Sequence, residues 1–208
     1  MKYLLAVCCV FVFLSCNDKP VTAASQSKPT IIKDSNLIRK EAANPYVAVD
    51  ISPMDMLYYP TDYPMKKMNG EADAPPVMRI IYSRPHRGGR QLFGNLVKWG
   101  QPWRLGANEA TEVEFFQPVT IQNKQIDKGR YVLYAIPNEN KWTLVFNKNI
   151  YSWGLKFNPE DDVAKFDVPS IMLPQTIEHF TMAFAKTAAS VELIMAWENR
   201  EVRLPIQF

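Results

Sequence analysis

Arg84, Arg87, Arg90 and Arg104 fall in one stretch of the chain together with Gly88-Gly89, Gly94, Gly100 and Gly106. Guanidinium forks bind carboxylate or phosphate through paired hydrogen bonds, and glycine-rich turns can aim backbone N–H groups at an anion. Trp99 and Trp103 add flat apolar faces, and Asn108, Glu109 and Thr111 close the stretch. As a site, Arg84, Arg90, Trp103, Arg104, Asn108, Glu109 and Thr111 would hold a small anionic or glycan ligand. The competing account is fastening. A long ordered loop must satisfy its own backbone, so Asn108 is expected to bond loop backbone and Arg104 to form a buried ion pair with Glu109. Fastening is the favoured account of these side chains.

Catalysis has less to work with. The chain holds 2 histidines, His86 and His179, so a three-histidine zinc site is impossible and no metal or cofactor is expected. His179 lies in the alternating run Thr176-Ile177-Glu178-His179-Phe180-Thr181-Met182 and reads as an ordinary strand residue. No Gly-x-Ser-x-Gly, His-Glu-x-x-His or phosphate-binding loop occurs. Asp161-Asp162 and Glu198 to Glu201 read as solvated turns. What remains is Glu109 with His86 or an arginine, an acid/base pair that only the fold can assemble.

The N-terminus reads as an address. Met1-Lys2 is followed by an uncharged apolar run from Tyr3 to Leu14 and by Ser15, the layout of an export signal. The run is well short of the ~20 residues of a membrane-spanning helix. All 3 cysteines, Cys8, Cys9 and Cys16, precede Asn17, so the folded part has neither disulfide nor thiolate chemistry. Leu14-Ser15-Cys16 resembles the lipobox of bacterial lipoproteins, although Phe13 departs from its usual aliphatic residue. That resemblance implies a diacylglycerol thioether on Cys16, a membrane partner reached through the lipid, and a place in the cell envelope, the outer membrane rather than the inner. With 24 Lys and Arg against 21 Asp and Glu, the chain is too nearly neutral to suggest nucleic acid.

The expected order is therefore a signal peptide at 1–15, a lipid-anchored flexible tether at 16–44 and a single β-rich domain at 45–208. The tether is rich in Ser, Thr, Ala, Lys and Asn, with a short helix possible at 34–42 capped by Asp34 or Ser35. Within the domain, runs at Val77–Ser83, Thr111–Phe116, Arg130–Ile136 and Trp142–Phe146 are β-branched or aromatic and bounded by Pro, Gly or Asn. They predict an all-β antiparallel sandwich or open, barrel-like domain carrying a long ordered loop. Val191, Leu193, Met195 and Trp197 alternate, and so do Val202, Leu204 and Ile206, which predicts a hairpin turning at Glu198 to Glu201, its second strand at an edge because of Pro205. The Met- and Tyr-rich lead-in from Met54 to Pro76 is expected to be an irregular collar.

Two stretches, Tyr82-Ser83-Arg84-Pro85 with Gly89-Arg90-Gln91-Leu92-Phe93-Gly94, and Trp99-Gly100-Gln101-Pro102-Trp103-Arg104-Leu105-Gly106-Ala107-Asn108-Glu109-Ala110-Thr111, carry a resemblance. With Lys128-Gly129-Arg130-Tyr131, Ala135-Ile136-Pro137, Trp153-Gly154 and Trp197-Glu198, they resemble the bacterial domain-of-unknown-function family numbered 2911. The resemblance runs from about Ile51 to Phe208 and implies a β-rich exported domain, with no activity or catalytic residue to carry over. His86 and the doubled Gly88-Gly89 depart from its usual pattern. Three functions follow in order: an envelope lipoprotein with a ligand site at Arg84 to Thr111, an interaction module of an envelope assembly, and a hydrolase or isomerase using Glu109.

Overall fold

The computed structural model describes residues 50–208. The expected signal peptide, Cys16, tether and short helix lie outside them. Nine strands and one short helix follow in order: β1 (Met54–Tyr59), α1 (Tyr63–Met68), β2 (Met78–Ser83), β3 (Thr111–Phe115), β4 (Val119–Ile121), β5 (Lys124–Ile126), β6 (Gly129–Pro137), β7 (Lys141–Asn147), β8 (Asp162–Lys186) and β9 (Val191–Ile206). Seven of them form one sheet in the order β1-β2-β3-β6-β7-β8-β9, antiparallel throughout, and β4 pairs with β5 alone. The large sheet curls into a half-barrel, as the all-β expectation required. No helix among the described residues is long and apolar enough to cross a membrane.

Curling is done mainly by β8. Its first half pairs with β7, from Asn147↔Asp162 to Lys141↔Pro169, and its last turn-ward residues pair with β9, from Thr181↔Ala196 to Lys186↔Val191. Between them the register slips twice, around Ile177, and Pro174 sits in the slipped stretch. Bulges bend the strand that carries them, and proline is tolerated there because no ladder donor is needed. The bent middle of β8 is then free to take a new neighbour, the segment that follows β2. Arg87 N donates to Glu178 O at 2.7 Å and Phe180 N to Pro85 O at 2.9 Å.

Strand alternation fills the concave side. Met78, Ile80 and Tyr82 of β2, Val113 and Phe115 of β3, and Trp142, Leu144 and Phe146 of β7 are all buried. Aromatic rings gather at one end: Trp103 lies edge-on to Trp142 at 5.7 Å and to Phe180 at 5.1 Å, and stacks on Trp197 at 5.8 Å with planes 14° apart. Such pairs add about 0.5–1.5 kcal/mol each beyond the area they bury.

Two expectations need correction. Glu198 to Glu201 do not turn the chain, because β9 runs unbroken from Val191 to Ile206. Glu198 takes φ +52°, and the buried positions change phase there, from 191, 193, 195 and 197 to 202, 204 and 206. An extra residue in a strand shifts which side chains face inward without reversing direction. The lead-in is likewise not wholly irregular. It opens as β1, which packs Leu57 and Tyr59 on the core and leaves Met54 and Met56 exposed. Pro205 does lie in a strand at the sheet's edge.

Candidate functional site

Loop 84–110 between β2 and β3 has no strand or helix of its own, and its order comes from side chains at its two ends. The buried Ser83 hydroxyl bonds Ala107 O and accepts from Ala107 N at 2.6 Å. A Cβ at Gly106 would stand 2.6 Å from that hydroxyl oxygen, so only glycine fits. Thr111 Oγ1 donates to Leu105 O at 2.7 Å, and Trp103 exchanges backbone bonds with Ala135 at 2.7 and 2.9 Å. Arg90 spends its guanidinium on the loop itself, donating to Arg87 O at 2.7 Å and His86 O at 2.6 Å. Leu105 and Asn108 hold φ +56° and +60°. Non-glycine residues in that region are strained, and such strain gathers at functional sites.

The fastened loop forms one wall of a cleft of about 410 Å³. Its floor is Trp103 and Trp197, its sides include Pro85, Val97, Pro102 and Leu155, and its polar groups come from Ser52, His86, Arg90 and Arg104. No aspartate or glutamate lines it. The Arg104 guanidinium has no ion-pair or hydrogen-bond partner among the described residues, and partial burial lowers its pKa from the ordinary arginine value, the charge of Glu109 acting the other way. Loss of water makes a charged group want a counter-charge. Gly154 closes against it, where a Cβ would meet Arg104 Cβ at 2.7 Å.

Of the residues predicted as a site, this cleft brings together Arg90, Trp103 and Arg104. Arg84 instead pairs with Asp55 at 3.1 Å, Asn108 Nδ2 donates to Asp50 Oδ2 at 2.6 Å, and Thr111 is buried as a loop fastener. The expected Arg104–Glu109 ion pair does not form. Glu109 faces a neighbouring cleft of about 370 Å³ with Glu112, Tyr151 and Trp153, whereas His86 faces the first, so the supposed acid/base pair is split between two clefts. The two histidines nevertheless meet: His86 and His179 are bridge partners with rings 6.1 Å apart, and His86 Nδ1 lies 3.9 Å from Glu178. Among the described residues, no three His, Cys, Asp or Glu converge as metal ligands.

Sequence reasoning missed four contributors. Ser83 looked like the end of a strand, and Trp197 like one more residue of a hairpin. Glu198, read as a solvated turn, points inward with its carboxylate 3.4 Å from Leu92 N and Phe93 N and 3.5 Å from Arg87 Nε. Asp162, also read as a solvated turn, is buried and accepts from Tyr134 at 3.0 Å and Asn147 at 2.8 Å. The pairs Trp153-Gly154 and Trp197-Glu198 were visible as motifs, but nothing along the chain linked them to Trp103-Arg104.

Fold and cleft together define a small all-β domain whose curled sheet carries a basic, aromatic-floored cleft at one end. By its sequence the chain belongs to the family described as a protein of unknown function, DUF2911, whose model matches residues 64–206. No curated protein and no solved structure matches it.

Proposed function

We propose that this chain is a lipid-anchored envelope protein whose domain binds an anionic ligand with a flat, apolar body. Arg104 takes the ligand's carboxylate, and Trp103, with Trp197 beneath it, stacks the body. One observation carries the reading: Arg104 is an unpaired guanidinium in a cleft whose lining holds no acid. A partly desolvated guanidinium without a counter-charge favours an anion that supplies one. Arg90 reinforces the sign of the cleft but is already tied to the loop, and His86 lies beside Glu178.

The anchor belongs to the same reading, resting on Lys2, the apolar run, Ser15 and Cys16. Two acyl chains on one residue hold a protein at a membrane where one chain does not. Glu109 and His86 line different clefts, so the hydrolase or isomerase reading lacks that acid/base pair and stands behind ligand binding.

The test compares the full chain with Arg104→Gln by thermal unfolding, using indole-3-carboxylate and glucuronate as probes and indole and glucose as neutral controls. A ligand at a hundredfold excess over its dissociation constant stabilises by about 2.7 kcal/mol. The acids are expected to raise the parent's melting temperature, the neutral controls not, and Arg104→Gln to abolish the shift without lowering its own melting point. An Arg104→Gln chain that melts several degrees lower, with any acid-induced shift intact, assigns Arg104 to fastening and overturns the site.

A further inference from the structure

Loop 148–157, between β7 and the short turn before β8, is as firmly held as loop 84–110. At its base Asn147 Nδ2 donates to Asn158 O at 3.0 Å and Asp162 Oδ1 at 2.8 Å, and Phe157 stacks on Tyr134 at 4.0 Å with planes 13° apart. Ser152 Oγ donates to Lys156 O at 3.1 Å and accepts from Gly154 N at 3.1 Å, and Gly154 packs on Arg104. Yet the tip of this rigid loop points Tyr151, Trp153 and Leu155 into solvent, 93%, 59% and 69% exposed. Soluble domains rarely leave such clustered apolar surface uncovered unless something binds it.

Two further features say what covers it. Ile51 and Leu96, also exposed, line the same cleft as Leu155, and Tyr151 and Trp153 line the neighbouring cleft, so the apolar groups form a rim along the edge between the two and not a single point. Ile51 and Ser52 are the residues of the Arg104 cleft nearest in sequence to Cys16, so the rim includes the N-terminal end of the domain, the end to which a lipid-anchored tether would lead. Lys148 and Lys156 flank the tip; Lys148 reaches Asp161 at 3.7 Å, and Lys156 has no ion-pair partner among the described residues. Tryptophan and tyrosine favour the membrane–water interface, and lysines beside them are drawn to anionic headgroups.

We infer that the rim formed by Ile51, Leu96, Tyr151, Trp153 and Leu155 seats on the anionic surface of the bilayer that holds the N-terminus, so that the Arg104 cleft opens at headgroup level. The inference rests on the lipid anchor proposed above. It makes the tether a device for orientation as well as retention.

Trp153 supplies the probe. Of the 5 tryptophans, Trp142 and Trp197 are buried, Trp99 and Trp103 half-buried, and Trp153 alone stands well out. The full chain is recovered from a bacterial membrane, its acyl group checked by mass, and reconstituted into phosphatidylcholine vesicles with and without phosphatidylglycerol. Brominated acyl chains are expected to quench the parent's emission, more with phosphatidylglycerol, and Trp153→Phe to at least halve that quenching at an unchanged melting temperature. Equal quenching in parent and variant, or none in the parent, overturns the seating and leaves the anchor standing. A chain found without an acyl group overturns the anchor, and quenching of its Trp153 on addition of phosphatidylglycerol vesicles still upholds the seating.

Discussion

Loops 84–110 and 148–157 flank the same cleft and are both fastened through hydrogen bonds and aromatic contacts, but they leave different groups unfulfilled. The first buries Leu92, Phe93, Val97 and Leu105, leaves Leu96 exposed, and carries into the cleft the Arg104 guanidinium, which has no acid partner among the described residues. The second satisfies its polar groups and leaves over apolar area, at Tyr151, Trp153 and Leu155. Rigidity without internal satisfaction is what a binding surface needs, since a preorganised surface loses less entropy on binding. What each loop lacks is the ground for the two proposals: an anion for one, an apolar phase for the other.

The comparison breaks most visibly at the ring that supports Trp103 of the first loop. Trp197 lies under Trp103 and is buried, with its Nε1 donating to Glu178 O at 3.2 Å. Trp197→Ala is expected to cost about 3–5 kcal/mol, enough to unfold a marginal domain, and denaturant unfolding would measure it. Next comes the catch at the root of the first loop alone. Ser83→Ala leaves Ala107 N and O without their bonds, an expected loss of about 1–3 kcal/mol. If the two loops are independent, hydrogen exchange speeds up in loop 84–110 and not in 148–157. Acceleration in both would make them one unit.

How much of this was legible along the chain depends on the range of the interaction. The strands at β2, β3, β6 and β7 were readable because each alternates on its own, and so was the all-β class. The phase change at Glu198 was visible too, but a phase change is common to a bulge and a turn. Only the pairing of Ile177 with Glu198 and of Met172 with Arg200 decides for continuity. Within the site, Arg104 and Trp103 announced themselves by type. Their partners did not, because Trp197 and Gly154 arrive from two remote segments, β9 and the loop before β8. Arg84 and Asn108 misled for the same reason, their acids Asp55 and Asp50 coming from the lead-in. Charge clustering in sequence is a weak guide when each guanidinium can find its own remote carboxylate.

A pH titration separates the loops by their tyrosines. Burial first, and then the hydrogen bond to Asp162, raises Tyr134 above its ordinary value of 10.0, and burial raises Tyr82 from the same value. Tyr134 stacks under Phe157 of the second loop, and Tyr82 OH accepts from Met182 N beside the segment that follows β2. A phenol held neutral in the fold but free to ionise when unfolded stabilises below the unfolded value, and that stability is lost as pH rises beyond about 10. Stability should therefore fall in alkali, and Tyr134→Phe should flatten the fall, read from melting temperatures against pH. A Tyr134→Phe chain with the parent's profile would assign the fall to Tyr82 and Tyr131 instead.

The smallest effect sharpens the comparison most. Trp153→Ser with Leu155→Ser removes apolar side chains that already face water, so unfolding free energy should stay within about 0.5 kcal/mol of the parent. A large loss would mean that the tip packs on something within the chain, and the second loop would then be fastened throughout like the first. An unchanged stability joined to lost membrane contact is the expected pair of results. Together they identify the tip as surface kept for contact, because a side chain that adds nothing to the fold and is still held in one place by Ser152, Gly154 and Phe157 is positioned for something outside it.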